Sequence, residues 1–437
     1  MKKTTLPLLS TLGLGLLLAF SPAQAETATE QELLRRVDQL AAELNKLRAE
    51  LAQVQQQRAA EAARPAAATA PAVATAAAPA AAEEPRPAAA PATVLSGYAE
   101  LNYNRPTKKS QDAQADLRRL VLGYQHRFDE KTKVVAEIEI EHAVASSSDA
   151  GEVAIEQAYV EHQFHPNMAL RGGLFLVPMG LINENHEPTA YLGVERNFVE
   201  TAIIPSTWRE GGLQLVGQLD SGWTLQAGLS TGFDLNKWDA GSREGRESPL
   251  GAIHQEMALA RSRDLSVFTA ANYRGIPGLL LGASLFTGKA THKQTAIESR
   301  ITLWDLHARW TPGAWDLSAV YSRGSISNTA GLNLPLVGKD SLIPSRFDGA
   351  YLQAGYKLWE RGSYVLKPFA RWERFNTAAA FADLGAGLTP TAQDAEQVWT
   401  VGANFEFAPG VVLKADLQRF KLNKDMNRVN LGLGWSF

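Results

Sequence analysis

From Val94 to its end, this chain alternates apolar and polar residues in short runs, and that alternation restricts its fold more than any other feature. About sixteen such runs centre on residues 95–104, 117–128, 132–143, 152–164, 168–177, 210–220, 222–233, 264–274, 278–288, 300–311, 313–323, 348–360, 363–375, 397–407, 410–421 and 427–437. Alternation with a period of two indicates a β-strand with two different faces. Most runs have the length of about 9–11 residues with which a tilted strand crosses a bilayer.

The connections between these runs alternate between tight turns and long loops. Turns rich in Gly, Pro, Asn and Asp lie at 128–132, 165–167, 220–222, 274–278, 311–313, 360–363 and 408–410. Longer connections lie between them at 104–116, 144–151, 178–209, 234–263, 289–299, 324–347, 376–396 and 422–426. Tight turns at one rim and long loops at the other are the layout of an outer-membrane β-barrel. An even number of strands places both ends of the barrel at the turn rim, which faces the periplasm.

The last run shows what the two faces of a strand contact. Its apolar face carries Val429, Leu431, Leu433, Trp435 and Phe437, which suits lipid and an aromatic girdle at the membrane interface. The opposite face is small or polar here and upstream, at Thr224, Gln226, Gly228, Ser230, Thr400, Gly402 and Asn404. A soluble β-sandwich can also end on such a strand. The wet second face favours an all-β, 16-stranded antiparallel transmembrane β-barrel over residues 94–437.

Residues 1–25 have the features of a secretory signal peptide. Lys2 and Lys3 precede an apolar run from Leu6 to Phe20, and Ala23-Gln24-Ala25 is a cleavage site. A membrane helix is the alternative, but the run is short for one. The exported chain has no Cys, which excludes disulfides, Cys-ligated metals and Cys nucleophiles. Its formal charge of −5 (−3 − 2, after loss of the two lysines) gives no indication of nucleic-acid binding.

Residues 26–58 are predicted to form a periplasmic coiled-coil helix. Apolar residues at alternating spacings of four and three make an a/d seam, formed by Leu33, Val37, Leu40, Leu44, Leu47, Leu51 and Val54. A helix packed on its own domain is the alternative, although it would follow a 3.6-residue period. Residues 59–93 are an Ala/Pro-rich linker. We therefore expect self-association, and a homotrimer fits the barrel best.

Charged residues within the strands indicate which face lines the lumen. An Arg or Lys facing lipid costs about 2–4 kcal/mol at the bilayer midplane. We therefore predict an inward orientation for Arg119, Arg127, Glu137, Glu139, Glu141, Arg171, Lys367, Arg371 and Lys414. Run 152–164 has no clear phase, because Glu156 and His162 share parity with apolar residues.

Both signs of charge are present among these residues. Basic rings select anions and acidic rings select cations. Alternatively, the acidic row Glu137, Glu139 and Glu141 only neutralises arginines on neighbouring strands.

The stretch from Pro178 to Gly212 is too long for an ordinary loop in a compact domain, where about 15 residues is the usual limit. It contains large apolar residues, so it should pack rather than remain disordered. We predict that it folds into the lumen and narrows it, adding Arg196 and Arg209 to the constriction. The segment Asn183–Glu187 resembles a metal-binding stretch, but a solvated or pore-facing loop is favoured. No metal site, cofactor or catalytic group is predicted.

Three segments resemble the phosphate-selective porin O and P family: Leu170–Gly180, Val194–Asn197 and Ile203–Gly212. The resemblance implies a homotrimer of sixteen-stranded barrels with the third outer loop folded inward. A coiled coil ahead of the barrel is also similar to that of trimeric dicarboxylate-type porins. Phosphate-selective members are expected to carry an Arg ladder and a Lys cluster. This chain departs from that pattern, because its acidic row is large and its loop 178–212 has no Lys.

These observations predict an outer-membrane porin, with its N-terminal segment in the periplasm, for passive diffusion of small hydrophilic solutes. Anions such as phosphate or dicarboxylates are the expected preference. Its other expected partners are copies of itself and outer-membrane lipids, but no nucleic acid. The main alternative is a barrel that serves as an anchor, with the coiled coil reaching towards the cell wall. An outer-membrane enzyme is a third hypothesis, but no nucleophile and base stand out, so no enzyme is predicted.

Overall fold

The computed structural model describes Lys46 and residues 92–144, 146, 150–385 and 387–437. The predicted signal peptide, the coiled coil apart from Lys46, and the linker up to residue 91 lie outside the described residues. The described part of the chain from residue 92 onward forms a single β-barrel.

The barrel wall is one closed antiparallel sheet. Its strands are β1 (Thr93–Pro106), β2 (Gln114–Arg127), β3 (Thr132–Glu141), β4 (Val153–His165), β5 (Met168–Leu176), β6 (Arg209–Gln218), β7 (Trp223–Ser230), β8 (Ser266–Tyr273), β9 (Leu279–Lys289), β10 (Arg300–Trp310), β11 (Trp315–Ile326), β12 (Arg346–Tyr356), β13 (Trp359–Arg361), β14 (Tyr364–Ala380), β15 (Glu396–Ala408), β16 (Val411–Phe420) and β17 (Arg428–Ser436). Consecutive strands pair along the chain, except that β12 and β13 both pair with β14, and β1 pairs with both β2 and β17. The sheet therefore has no free edge.

The predicted sixteen-stranded antiparallel barrel is confirmed, and each predicted run contains one of its strands. The short β13 lies in line with β12, because both pair with β14. Together they occupy one of the sixteen strand positions around the barrel. The tight turns, at what we call the turn rim, and the long loops, at the long-loop rim, alternate around the barrel as expected.

The two faces of the wall differ as the alternation predicts. In β2, Leu122 and Tyr124 are exposed on the outer face, whereas Arg119 and Val121 are buried on the inner face. A strand's successive side chains point to opposite faces, so one parity meets lipid and the other meets the lumen.

A β-bulge resolves the orientation of β4, which parity alone leaves open. Glu137 of β3 pairs with Gln157, but the next residue, Ile138, pairs with Ile155. Glu156 is thus the extra residue of the bulge. It turns inward and is fully buried, while Ile155 remains exposed. The bulge shifts the parity of β4, so that the apolar residues beyond it also face outward.

The long connections contain only short helical segments among the described residues. The α-helices are α1 (Glu244–Glu247) and α2 (Thr329–Asn333). Single 3-10 turns span Ser110–Asp112, Leu235–Lys237, Gly251–Ile253, Leu334–Leu336 and Lys424–Met426, and a π-helical turn spans Val199–Ile203. In the described part of the chain, no helix combines the length and the apolar content needed to cross a membrane.

A hydrophobic cluster fills the barrel on the side of β5 to β12. Trp208 is completely buried at its centre, with ring centroids 4.9 Å from Phe233 and 4.6 Å from Phe286. Strand residues such as Phe175 and Phe347 pack around it. The cluster therefore fills part of the lumen on this side.

Candidate pore constriction

The connection between β5 and β6, residues 177–208, folds into the lumen as predicted, and we call it the inner loop. Its boundaries differ slightly from the predicted 178–212, because Arg209 already begins β6. Backbone and side-chain groups of the loop reach strands around the whole barrel. Gly180 N donates a hydrogen bond to Asp305 Oδ2 of β10 (3.3 Å), and Tyr191 Oη donates to Glu100 Oε2 of β1 (2.6 Å). Val194 N donates to Asp416 Oδ2 of β16 (2.7 Å), and Phe198 N donates to Glu373 Oε2 of β14 (2.6 Å). The inner loop thus crosses the lumen and is attached to the wall on several sides.

One buried carboxylate holds the two arms of the inner loop together. Glu200 Oε1 accepts hydrogen bonds from the backbone N–H groups of Leu181 (2.5 Å) and Ile182 (2.9 Å). Its Oε2 accepts from Asn197 Nδ2 (2.8 Å) and from Tyr351 Oη of β12 (3.0 Å). Burial raises the pKa of Glu200, and these four donors oppose that shift. The carboxylate fixes the shape of the loop and attaches it to the wall.

Arg371 of β14 and Lys414 of β16, both predicted to face the lumen, form contacts with the inner loop. Arg371 Nη1 donates to Leu192 O at 3.1 Å, while its Nε pairs with Glu373 at 2.7 Å. Lys414 Nζ donates to Tyr191 O at 3.2 Å and lies 3.7 Å from the centroid of the Tyr191 ring. Their charges are therefore engaged in positioning the loop.

A cavity of about 1040 Å³, which we call the main cavity, lies between the inner loop, β1–β3 and the long-loop rim. Five of the predicted site residues line it: Arg119, Glu139, Glu141, Arg196 and Arg209. A smaller cavity of about 480 Å³ lies between the start of the inner loop and the turn rim, beside Glu184, Arg274 and Arg309. The two cavities lie on opposite sides of the inner loop.

Arg119 is the centre of an acidic cluster in the larger cavity. Its guanidinium pairs with Glu100 at 2.7 Å, Glu139 at 2.8 Å and Glu141 at 3.5 Å. The neutralising role considered for the acidic row thus applies to Glu139 and Glu141. Glu137 instead accepts a hydrogen bond from Gln157 at 2.5 Å. One cation facing three carboxylates leaves no free positive charge at this point.

Glu100 is a site residue that was not predicted from the sequence, although the alternation of β1 places it on the lumenal face. It lies in mid-strand in β1, on the same face as Asn102 and opposite the exposed Leu101 and Tyr103. The parity rule used for the other strands assigns it to the lumen. His254 and Glu256, which also line the cavity, lie in an irregular loop where no period exists to reveal them.

The two arginines predicted from the inner loop differ in their partners. Arg209, at the start of β6, pairs with Glu256 at 3.0 Å. Arg196 donates to the hydroxyls of Ser206 (2.6 Å) and Thr207 (2.7 Å) and to His186 O (3.1 Å). No carboxylate among the described residues forms an ion pair with Arg196. Arg196 is therefore a cation of the inner loop without a carboxylate partner among the described residues.

The remaining predicted residues lie away from the main cavity. Arg171 pairs with Glu161 at 2.7 Å and lies over the Tyr159 ring. Lys367 pairs with Asp316 at 3.4 Å. Arg127 is exposed at the end of β2 near the turn rim, where the cost of facing lipid no longer fixes its direction.

Comparisons with known proteins agree with this architecture. Residues 92–216 match the model of the family described as phosphate-selective porin O and P, so the resemblance seen in the sequence is confirmed. An uncharacterized protein of Aquifex aeolicus (strain VF5) is 29% identical over 357 residues, which is 78% of this chain and 79% of that protein.

Two solved porins share the fold. OmpF of Salmonella typhi, in complex with daunomycin, aligns with a TM-score of 0.55 at 14% identity, over 79% of this chain and 97% of OmpF. The anion-selective porin of Comamonas acidovorans aligns with a TM-score of 0.50 at 13% identity, over 79% of this chain and 99% of that porin. Family and fold together indicate an outer-membrane channel for small solutes rather than an enzyme.

Proposed function

We propose that this chain is a passive porin of the phosphate-selective porin O and P family, with a preference for small anions such as phosphate or dicarboxylates. The observation that carries the anion preference is the position of Arg196. It lines the larger cavity from the inner loop, and its guanidinium donates to hydroxyl and carbonyl groups, with no carboxylate partner in the described part of the chain. A guanidinium without a carboxylate partner is a favourable binding group for a carboxylate or phosphate.

Seven carboxylates line the cavity, and five of them lie at ion-pair distance from an arginine that offsets their charge. The other two, Glu152 and Glu195, form no ion pair with an arginine among the described residues. Glu100, Glu139 and Glu141 are directed at Arg119, and Glu256 is directed at Arg209. Two further cations, Arg118 and Arg428, line the cavity towards the long-loop rim. Arg118 lies 3.8 Å from Asp116, and its side chain is 41% exposed. An anion entering from this rim therefore meets accessible arginines before it reaches Arg196.

We propose a homotrimer in the outer membrane with the N-terminal segment in the periplasm. The start of β1 and the end of β17 lie at the turn rim, where Gly97 and Phe437 exchange backbone hydrogen bonds. In outer-membrane barrels the short turns face the periplasm. A heptad seam leading into that rim supports self-association on the periplasmic side.

The test is ion selectivity in a planar lipid bilayer under a KCl gradient. We expect a reversal potential that favours chloride, with partial block by added phosphate or succinate. Arg196→Gln should move the reversal potential towards potassium, because it removes the unpaired charge. The matched control is Arg127→Gln, which removes an exposed arginine outside the cavity and should change nothing. A wild-type channel that prefers potassium would overturn the anion preference.

The anchor hypothesis predicts a different result. Deleting residues 26–93 should leave single-channel conductance intact if the protein is a porin. A folded barrel that conducts no ions, with or without this segment, would favour the anchor.

A further inference from the structure

Three side chains from three elements meet beside the inner loop, next to the acidic cluster. They are Glu137 of β3, Glu156 of the β4 bulge and His186 of the inner loop, and their potential ligand atoms all lie within 4.8 Å of one another. We propose that these residues bind a divalent metal ion, with Zn²⁺ as the best match, which fastens the inner loop to the wall at β3 and β4.

The orientation of the His186 ring supports this assignment. Its Nδ1 lies 2.9 Å from the backbone oxygen of Asn183. A carbonyl only accepts, so Nδ1 carries the hydrogen, and in the neutral ring Nε2 bears the lone pair. A histidine that ligates a metal through one nitrogen commonly donates the other N–H to a carbonyl in this way.

The distance between His186 and Glu156 fits two ligands of one ion. Nε2 of His186 lies 3.6 Å from Oε2 of Glu156, which is too long for a hydrogen bond. Zinc bonds of about 2.0–2.2 Å place neighbouring ligands of a tetrahedral site roughly 3.3–3.6 Å apart. Two acceptor atoms therefore face each other at the spacing that an intervening cation would set.

Glu156 provides the independent observation. It is fully buried, and neither of its carboxylate oxygens has a hydrogen-bond partner among the residues that the structure describes. The bulge directs it inward against Glu137, and Glu139 also lies beside it. The guanidinium of Arg119 is already engaged with Glu100, Glu139 and Glu141. The positive charge of Arg196 also acts on Glu156, but among the described residues the two side chains form no ion pair or hydrogen bond. A buried carboxylate in such surroundings requires a compensating cation.

The surrounding groups also suit a metal site. Gln157 Nε2 donates to Oε2 of Glu137 at 2.5 Å, which orients that carboxylate and leaves its other oxygen available. Glu137 is only half-buried, so an ion can reach the site from the lumen. One imidazole and two carboxylates match Zn²⁺ better than Mg²⁺ or Ca²⁺, which prefer oxygen ligands alone. A position remains open for water.

The test is metal binding to the full-length protein, purified without a histidine tag, folded in detergent and stripped with a chelator. We expect one Zn²⁺ per chain by elemental analysis after dialysis against equimolar Zn²⁺. Co²⁺ should give the visible absorption of a tetrahedral site. Both signals should be lost in His186→Ala and in Glu156→Gln. Gln157→Leu, which removes only the orienting donor, should weaken binding by about 10–100-fold.

Two controls separate the site from non-specific binding and from misfolding. His254→Ala removes a cavity histidine that pairs with Glu256 and should bind Zn²⁺ like the wild type. Heat-modifiable electrophoretic mobility reports whether each variant forms the barrel. Wild type that binds no Zn²⁺, or that binds it equally well after either ligand substitution, would overturn the proposal. The first result would leave the direct contact between His186 and Glu156 as the interaction that joins the inner loop to β4. Neither result depends on ion selectivity, so the porin function is tested separately.

Discussion

The two ends of the inner loop and its middle are held in the barrel by different forces. The ends, which we call the apolar stem, insert Val177, Met179, Ile203, Ile204 and Trp208 into the hydrophobic cluster. The middle, residues 183–197, is a polar tip. It is fixed by hydrogen bonds and charges on β1, β14, β15 and β16. The stem supplies most of the apolar burial, whereas the tip borders the open cavity.

The difference shows how one loop of a porin has a stable part, the apolar stem, and a chemically adjustable part, the polar tip. Apolar burial is non-directional and roughly proportional to the area removed from water, so the stem holds the loop in the lumen without relying on individual polar pairs. The tip depends on buried polar groups, and each of these is costly when it loses its partner. Substitutions in the tip should therefore alter the channel while the loop stays inserted.

The largest effect is expected from breaking the stem. Trp208→Ala removes the side chain at the centre of the cluster and its hydrogen bond to Glu210 at 3.0 Å. Large-to-small substitutions of buried aromatic residues cost about 3–5 kcal/mol. We expect a loss of this size in the free energy of unfolding, measured in denaturant, together with larger and noisier single-channel currents. The matched control is Trp310→Ala on the outer face, where the side chain is 47% exposed. Equal losses in both variants would contradict the special role of the stem.

A smaller effect should follow from loosening the tip. Tyr191→Phe removes the hydroxyl that donates to Glu100 at 2.6 Å and keeps the ring beneath Lys414. A hydrogen bond to a charged group contributes about 1.5–3 kcal/mol. We expect a stability loss in that range and a measurable change in ion selectivity, because Glu100 is less firmly held. Tyr103→Phe, in the same strand but on the lipid face, is the control. A selectivity change without any loss of stability would show that the bond tunes the cavity without securing the tip.

The sequence predicts the stem better than the tip. Alternation fixes which face of each strand is inward, so Arg119 and Glu139 can be assigned to the lumen, and the apolar content of the loop predicts its packing. The partners of the tip cannot be deduced in this way. Tyr191 and Glu100 are 91 residues apart, and nothing local determines that they meet. The inward orientation of Glu156 arises from a bulge, which is visible only once β4 is paired with β3. The alternation of a strand predicts which face of the wall a side chain lies on, but strand register and long-range packing determine which side chain it contacts.

The smallest effect concerns Glu200, which joins the stem to the tip. Burial raises its folded-state pKa above the value of about 4.3 expected for an unfolded chain. The folded state then binds the proton more tightly, so this group's contribution to stability is fully present below the unfolded pKa. That contribution is lost as pH rises through the folded pKa. Glu200→Gln cannot titrate, so its free energy of unfolding should decline less than that of the wild type between pH 4 and neutrality.

Unfolding of both proteins in denaturant at matched pH values tests this expectation, because titrations elsewhere in the chain cancel in the difference between them. Asp425→Asn, at an exposed carboxylate in the last long loop that pairs with Lys108, is the control for a surface substitution. The four donors around Glu200 work against the effect of burial. If the difference between wild type and Glu200→Gln instead grows in favour of the wild type as pH rises, the donors outweigh burial. The junction would then belong with the polar tip rather than with the stem.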